Sequence, residues 1–357
     1  MPPASALLRR LGIEHPILLS PMAGGPSCPE LAAAVSNAGG LGSLGAAYLA
    51  PQRIADDMRR VRALTSKPFN VNLFALDYGR QRHVEPGPML AVMNEVHSRF
   101  GLAPPQAPPP ASDPFPAEIE AVLEAPPAVF SFTFGIPPAD ILVRLKERGV
   151  FVMGTATTVQ EARLLHAAGV DAIVAQGAEA GAHRGTFADT FENSMVPTLD
   201  LVRGTVAAVP LPVIASGGLM DGREIARALE AGAAAAQLGT AFLACPESGA
   251  SEAYKRAILN AREDTTVVTR AFSGRPARGL KNEFIARLAG KENQILPYPL
   301  QNTLTRPMRT AAAQAGDAGH LSLWAGQGVA RARALPAGEL VRRLVEEMDA
   351  AVSGAAS

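Results

Sequence analysis

One histidine in the sequence stands inside a glycine-rich segment that directly follows a short apolar run. Residues 175–185 read AQGAEAGAHRG, so three glycines, Gly177, Gly181 and Gly185, surround His183. Glycine lets the backbone approach a flat or phosphorylated ligand closely because it has no side chain. Imidazole is the side chain whose ordinary pKa allows proton transfer near neutral pH. The segment therefore predicts an active site around His183.

Two later segments have the same form, an apolar run that ends in glycine. Residues 212–218 read PVIASGG and end at Gly217 and Gly218, and residues 237–240 read QLGT around Gly239. Loops at the ends of the last two strands of a barrel often bind phosphate through backbone N–H groups. Glycines also occur in such loops as simple turns, so each segment alone is a weak signal. The two together favour a phosphate site.

The elements that would carry these segments alternate regularly along the chain. Eight short apolar runs are each followed by a helical pattern, which is typical of βα units and a parallel sheet. We therefore predict a TIM (β/α)8 barrel over residues 1–262, with the active-site loops at the carboxyl ends of its strands. The predicted strands are 17–23, 41–46, 69–74, 128–135, 150–156, 171–176, 213–216 and 234–238. The predicted helices are 28–38, 51–64, 89–100, 139–148, 159–168, 199–209, 222–231 and 252–261.

Two regions depart from this alternation. Residues 75–126 contain a proline-dense stretch at 103–116, which predicts an insertion that crosses the surface. Such an insertion acts either as a lid or as a variable linker, and both interpretations stay open. Residues 263–357 end in a predicted helix near 337–350. We expect them to form a C-terminal extension that packs across the barrel mouth, rather than an independent domain.

A barrel with a phosphate site at its last two strands often holds FMN, and other strand ends offer suitable contacts. Met22 and Ala23 follow the first strand and are suited to lying against a flat ring. Asn70 on the third strand and Gln176 on the sixth are able to hydrogen-bond ring carbonyls and nitrogens. For each residue alone a structural hydrogen bond is an equal alternative. Their shared placement on barrel strands favours a cofactor.

Composition excludes several other functions. Lysine plus arginine equals aspartate plus glutamate, at 33 each, and no long basic run exists, so we expect no nucleic-acid partner. Cys28 and Cys245 fit no metal spacing, and we expect thiols in a reducing compartment and no metal site. No apolar run approaches the roughly 20 residues of a membrane span. We therefore expect a soluble, cytoplasmic protein.

Several ordered motifs make the chain similar to a known family. They are PMAGG at 21–25, SNAGGLG at 36–42, SFTFG at 131–135, the His183 segment, SGGLMD at 216–221, QLGTAF at 237–242, LPYPLQN at 296–302 and SLWAGQG at 322–328. Over nearly its whole length the chain resembles the class I nitronate monooxygenases, formerly grouped as 2-nitropropane dioxygenases. These are FMN-dependent barrel enzymes. The family commonly has glycine where this chain has Ala182.

The resemblance implies an activity, a cofactor and a set of site residues. Its substrates are alkyl nitronates such as propionate 3-nitronate, which are oxidised with molecular oxygen to carbonyl compounds and nitrogen oxyanions. His183 is implied as the catalytic base toward a neutral nitroalkane, and Thr133, Tyr254, Tyr298 and Arg306 are candidates for the substrate pocket. We expect a monomer or homodimer. The implied FMN contacts are Met22, Ala23, Asn70, Gln176, Gly181, Gly217, Gly218, Gln237, Leu238, Gly239 and Thr240.

Two alternatives remain at this stage. The first keeps the flavin but makes the protein an NAD(P)H-dependent reductase, of the enoyl-acyl-carrier-protein reductase or quinone reductase type. The absence of a Gly-x-Gly-x-x-Gly fingerprint after the first strand does not exclude it, because barrel flavoenzymes need none. The second is a non-catalytic FMN-binding protein, for which replacement of His183 would change no turnover.

Overall fold

Eight parallel strands form a closed barrel in the computed structural model, which describes residues 3–78 and 84–354. Around the barrel the strands follow the order β1-β9-β8-β6-β5-β4-β3-β2. A parallel bridge between Leu18 and Leu41 joins the two ends of this order. The predicted TIM barrel is thus confirmed. The described residues also include three strands outside the barrel, β7, β10 and β11. In chain order all strands are β1 (Ile17–Leu19), β2 (Gly42–Gly45), β3 (Phe69–Phe74), β4 (Val129–Thr133), β5 (Phe151–Ala156), β6 (Ala172–Gln176), β7 (Ala182–His183), β8 (Val213–Ser216), β9 (Ala235–Leu238), β10 (Thr266–Thr269) and β11 (Ala277–Leu280).

Helices surround the barrel and form the tail. Several begin where the sequence supplies a side-chain cap, and Thr158, Asp221 and Ser251 each accept a hydrogen bond from the backbone N–H three residues later. The helices are α1 (Pro3–Leu11), α2 (Pro29–Asn37), α3 (Pro51–Leu64), α4 (Gly87–Arg99), α5 (Phe115–Glu124), α6 (Ala139–Glu147), α7 (Val159–Ala167), α8 (Thr198–Ala208), α9 (Gly222–Glu230), α10 (Glu252–Leu259), α11 (Glu283–Arg287), α12 (Leu300–Ala315) and α13 (Ala337–Gly354). No helix among the described residues is long and apolar enough to cross a membrane.

The helix that completes the ring of the barrel is not the predicted one. The sequence assigned residues 252–261 to the eighth place, but α10 packs near the mouth, beside Leu243, Leu280 and Leu321. The last helix, α13, instead packs between α9 and α2 and buries Leu340, Val341 and Leu344 in the same cluster as the strands β8 and β9. The eighth helix of the ring is therefore α13, whose apolar face fills this gap.

The predicted insertion at 75–126 also divides into two parts. Helix α5 lies in the ring of the barrel, where Phe115, Ile119 and Val122 belong to the same buried cluster as the strands β3 and β4. Helix α4 packs instead on the tail, with Met89 and Met93 in a cluster that includes Phe272 and Phe284. Residues 102–114 between the two helices have no regular structure, as the proline content predicts.

The tail reaches the catalytic loop through a small antiparallel sheet that the sequence did not predict. Strand β11 pairs with β10 on one side and with β7 on the other, so that Ala277 lies opposite His183 and Arg278 opposite Ala182. The short strand β7 is part of the loop that follows β6. The position of His183 therefore depends on residues almost one hundred positions further along the chain.

Candidate active site

A cavity of about 730 Å³ opens at the carboxyl ends of the barrel strands, where the prediction placed the active site. This volume lies in the range of ordinary small-molecule and cofactor sites. The tail contributes α12 and Trp324 to its wall. Among the described residues that line the cavity none is acidic, and the charged ones are Arg306 and Arg309. The predicted site residues on its wall are Met22, Ala23, Thr133, Gln176, Gly181, His183, Gly217, Gly218, Gln237, Leu238, Gly239, Thr240, Tyr254 and Arg306.

One side of the cavity presents free backbone N–H groups, which we call the glycine rim. It consists of Gly217, Gly218, Gly239 and Thr240, at the ends of the adjacent strands β8 and β9. The N–H groups of these four residues donate no hydrogen bond to any residue that the structure describes. Unpaired N–H groups that converge on one spot form an anion-binding site. The glycine rim therefore fits a phosphate group.

The start of helix α9, just beyond Gly218, contributes less to anion binding than the sequence indicated. The backbone N–H of Gly222 donates to the Glu347 carboxylate of α13 at 3.0 Å. The Asp221 side chain caps the same turn by accepting the N–H of Glu224 at 2.9 Å. Because protein carboxylates already occupy this helix end, anion binding is restricted to the rim itself.

His183 lines the same cavity, on the loop that follows β6. Its Nε2 is 2.8 Å from the Ser273 hydroxyl oxygen. Burial of the ring lowers its pKa to about 3, and the positive charges of Arg275 and Arg309 act in the same direction. The imidazole is therefore neutral at physiological pH. A neutral imidazole is able to act as a base.

Aromatic rings enclose this imidazole. The ring centroids of Trp324, Tyr298 and Phe134 lie 5.5, 5.8 and 5.9 Å from that of His183. The Arg275 guanidinium lies over Phe134, 4.0 Å from the ring centroid, in a cation–π contact. These rings limit access of water to the imidazole, which is the cause of its lowered pKa.

The loop that carries His183 is held by side chains of its own segment. The Gln176 amide donates to the His183 carbonyl at 3.0 Å and accepts the Gly185 N–H at 2.8 Å. The buried Arg184 guanidinium donates to the carbonyls of Gly177 and Ser194, at 2.6 and 2.8 Å. Gln176 therefore lies on the cavity wall as predicted, but two of its hydrogen bonds are structural.

The backbone beside His183 adopts a conformation that favours glycine. Ala182 has a φ of 59°, in the left-handed region that costs a side-chain-bearing residue roughly 1–2 kcal/mol. Gly181 next to it is required for a different reason. A Cβ atom there would lie 2.6 Å from the Ala325 carbonyl carbon of the tail. The close approach of two chain segments fixes this loop.

Two predicted residues lie away from the cavity wall. Asn70 is fully buried below it, where its Nδ2 donates to the hydroxyls of Ser43 and Ser131 at 3.2 and 2.9 Å. Asn72, two positions nearer the mouth on the same strand, lines the cavity instead. Tyr298 packs behind the wall, with its hydroxyl 3.3 Å from that of Tyr48. Both asparagines point inward, because alternate residues of a strand share a face, and they differ in depth, so the cofactor contact predicted for Asn70 stays a prediction.

Sequence reasoning missed several residues, most of them in the tail. Arg309 and Asn302 lie on the cavity-facing side of α12 with Arg306, and the Arg309 guanidinium donates to the Asn302 side-chain oxygen at 2.9 Å. Ser273, which contacts His183, lies in the loop between β10 and β11. The spacing of 302, 306 and 309 is helical, so prediction of α12 would have found the two cavity-lining residues. No sequence signal indicated Ser273.

Comparison with known proteins shows the family of this chain. The family model described as "Nitronate monooxygenase" matches residues 5–347. This chain belongs to the nitronate monooxygenase family. Its members are oxidoreductases, and the resemblance stated from the sequence motifs is thus confirmed.

Individual members of the family align with the chain almost end to end. A nitronate monooxygenase from Pseudomonas aeruginosa PAO1 is 46% identical over 344 residues, which cover 95% of this chain and 98% of the relative. One from Paraburkholderia phytofirmans is 43% identical over 350 residues, which cover 96% of this chain and 94% of the relative. The structure of a nitroalkane oxidase from Streptomyces ansochromogenes superposes with a TM-score of 0.89 at 42% identity, with 96% and 98% covered. The structure of FabK from Thermotoga maritima superposes with a TM-score of 0.78 at 30% identity, and the match covers 98% of this chain and 97% of that chain.

Proposed function

We propose that this chain oxidises alkyl nitronates, such as propionate 3-nitronate, with FMN and molecular oxygen, to carbonyl compounds and nitrogen oxyanions. One observation carries the proposal. One cavity combines the unpaired N–H groups of the glycine rim, a neutral imidazole and a wall whose charged residues are arginines. Such a cavity favours an anionic cofactor and an anionic substrate.

The residues present fit FMN. The glycine rim would bind the phosphate, while the thioether of Met22 and the small Ala23 would lie against the ring system. Gln237, Leu238 and Gly181 line the cavity between these two ends. When bound, the flavin supplies a one-electron acceptor that oxygen returns to its oxidised state. A contact of Asn70 with the flavin stays a proposal, and its buried Oδ1 accepts no hydrogen bond from any residue that the structure describes.

The arginines would select the charge of the substrate. Arg306 and Arg309 place two guanidinium groups on one wall, and no acidic group on that wall opposes them. A nitronate is an anion, and propionate 3-nitronate carries a carboxylate as well. Thr133 and Tyr254 complete the pocket, and the Tyr254 hydroxyl donates to the Trp324 carbonyl at 2.6 Å, which fixes the ring.

His183 would act when a neutral nitroalkane binds. The imidazole accepts the proton from the carbon beside the nitro group, and the electrons of the broken C–H bond move into that group to form the nitronate. The lowered pKa of about 3 leaves the imidazole unprotonated at physiological pH. The negative charge that forms on the nitro group would offset the weak basicity of the buried ring as it takes up the proton. A substrate that arrives already as a nitronate needs no such step.

The NAD(P)H-dependent reductase is the less supported candidate, because the relatives that align at 41–46% identity are named nitronate monooxygenase. An anaerobic titration separates the two functions. We expect propionate 3-nitronate to reduce the bound flavin within the time of mixing, seen as a change in its visible absorption spectrum, and NADH to leave it oxidised. Bleaching by NADH alone would reverse the assignment. Chromatography of the released cofactor against FMN and FAD standards identifies the flavin.

Three further predictions from the sequence stay proposals. We infer that residues 1–262 act as the barrel and residues 263–357 as the extension, except that α13 of the extension packs in the ring of the barrel. Residues 1–2, 79–83 and 355–357 of these ranges lie outside the described residues. We infer a monomer or homodimer. We also infer a cytoplasmic location, because both cysteines are free thiols. Light scattering of the purified holoprotein tests the second of these.

A further inference from the structure

Ser273 is a buried hydroxyl with three hydrogen-bonding neighbours. Its side chain is 1% exposed, in the loop between β10 and β11. The hydroxyl oxygen lies 2.8 Å from His183 Nε2, 3.1 Å from the Arg275 carbonyl oxygen and 3.3 Å from the Arg275 backbone nitrogen. The sequence motifs and the proposed reaction assign no role to this residue.

Proton counting decides the direction of these bonds. The Arg275 N–H can only donate to the hydroxyl, and the Arg275 carbonyl can only accept from it. That carbonyl receives no hydrogen bond from any other residue that the structure describes. A serine hydroxyl has one proton, so donation to this carbonyl leaves only a lone pair for His183. The bond to Nε2 then requires a proton on Nε2.

The other ring nitrogen is in a different situation. Within residues 3–78 and 84–354, Nδ1 of His183 makes no hydrogen bond, yet it is not among the buried side-chain atoms without a partner. It is therefore open to the cavity that His183 lines. In a neutral imidazole that carries its proton on Nε2, Nδ1 holds the lone pair.

We propose that Ser273 is a positioning residue that holds His183 in the Nε2–H tautomer, so that the Nδ1 lone pair faces the cavity as the proton acceptor. The tautomer assignment rests on geometry alone. Only its catalytic meaning rests on the function proposed above.

The surroundings of Ser273 hold its orientation. The Arg275 guanidinium donates to the Arg184 carbonyl at 3.1 Å and to the Thr186 carbonyl, which ties its backbone to the loop after His183. The pairing of Ala277 with His183 fixes the two strands on the other side. Ser273 and His183 are therefore held on two segments that cannot easily separate. A hydrogen bond between fixed segments sets a tautomer, as the partner of a metal-bound histidine does.

Nitrogen-15 NMR of the FMN-loaded protein, labelled on its histidines, tests the assignment directly. Comparison with His183→Asn assigns the resonances of His183. We expect a pyrrole-type shift at Nε2 and a pyridine-type shift at Nδ1 in the wild-type protein. The reverse pattern in the wild type would overturn the proposal, whether or not any variant folds.

Kinetics test the consequence with matched variants. We expect Ser273→Ala to lower kcat/KM for a neutral nitroalkane about 10- to 100-fold, because part of the general-base contribution is lost. For the corresponding nitronate, kcat/KM should fall less than about 3-fold. In the same variant the Nδ1 shift should move toward the average of the two tautomers. Ser273→Thr keeps the hydroxyl and should restore the tautomer. Thr305→Val is the control, because Thr305 is a buried hydroxyl that donates to the neighbouring Phe272 carbonyl at 2.6 Å without contacting His183.

The outcomes separate this proposal from the function itself. Equal losses in Ser273→Ala and Thr305→Val, or equal losses for nitroalkane and nitronate, would reduce Ser273 to a structural residue and refute the proposal. If no nitro compound bleaches the flavin but the wild-type tautomer is Nε2–H, the proposed function fails while the tautomer assignment stands.

Discussion

Two sides of the cavity are built in different ways. The glycine rim uses the backbone of adjacent strand ends, with no side chain involved. The other part, which we call the tail wall, consists of Arg306 and Arg309 on the cavity surface and of Ser273, Arg275 and Tyr298 behind it. These five side chains come from the last hundred residues. Ser273 and Tyr298 contact His183, and the charges of Arg275 and Arg309 act on its imidazole.

The difference shows that binding of the cofactor and choice of the substrate depend on different parts of the chain. A backbone cradle recognises a phosphate, which is the same in every flavin nucleotide, and its geometry follows from the barrel itself. Side chains from the tail contact the imidazole and the space for substrate, where charge and shape must be chosen. We therefore expect changes in the glycine rim to act on cofactor retention and changes in the tail wall to act on chemistry and selectivity.

The broadest expected effect, because it would remove the activity toward every substrate, is loss of the cofactor in Gly239→Asp. Gly239 has a φ of −111°, so a side chain there causes no backbone strain, unlike at Gly218 with a φ of 74°. A carboxylate beside the phosphate should weaken FMN binding about 100-fold or more, through repulsion in a partly dry site. The flavin-to-protein ratio after gel filtration, and a fluorescence titration, measure this.

Gly239→Ala separates charge from bulk at the same position. Its Cβ atom would lie 3.3 Å from the Ser20 Cβ, a contact that a small shift relieves. We expect this variant to retain its yellow colour. If alanine and aspartate release the flavin equally, the phosphate does not bind at the glycine rim.

The same division explains what sequence reasoning reached. The strand pattern predicted the barrel, and glycine positions predicted the rim, because both depend on local sequence that repeats along the chain. The tail wall depends on packing between distant segments. Ser273 meets His183 only through the pairing of β11 with β7, and α13 fills the eighth helical place far from its strand in sequence. No local pattern encodes such contacts. The alternation of side chains also does not show depth along a strand, which is why the sequence did not indicate that Asn72 rather than Asn70 lines the cavity.

His183→Asn should separate two substrates rather than abolish all activity. Asparagine cannot accept the proton of a nitroalkane, so kcat/KM for a neutral nitroalkane should fall about 10²- to 10⁴-fold. Turnover of the preformed nitronate should fall much less, and FMN should stay bound. Steady-state assays with a nitroalkane and its nitronate, both freshly prepared, give the two values. Equal losses would argue against a base role.

The buried imidazole should also lower acid stability. Its folded pKa of about 3 lies below the value of the unfolded chain, about 6.5. As pH falls below 6.5 the unfolded state takes up a proton that the folded state does not, so the free energy of unfolding decreases toward pH 3 by up to about 1.4 kcal/mol per pH unit. Urea unfolding with saturating FMN at pH 7 and pH 5 measures this. His183→Asn should lose less stability over that interval, and identical pH dependence in both proteins would mean that the ring protonates freely.

The smallest effect is expected at Arg306, because its side chain lies at the exposed edge of the tail wall. Arg306→Gln should raise KM for propionate 3-nitronate about 10-fold at low ionic strength, and salt should reduce the difference, since exposed charges are screened. Its kcat should stay close to the wild-type value. Arg203→Gln, on the outer surface at α8, removes the same charge away from the cavity and should change neither constant. If Arg306→Gln behaves like this control, Arg309 alone supplies the charge of the wall, and burial rather than exposure decides which arginine the substrate meets.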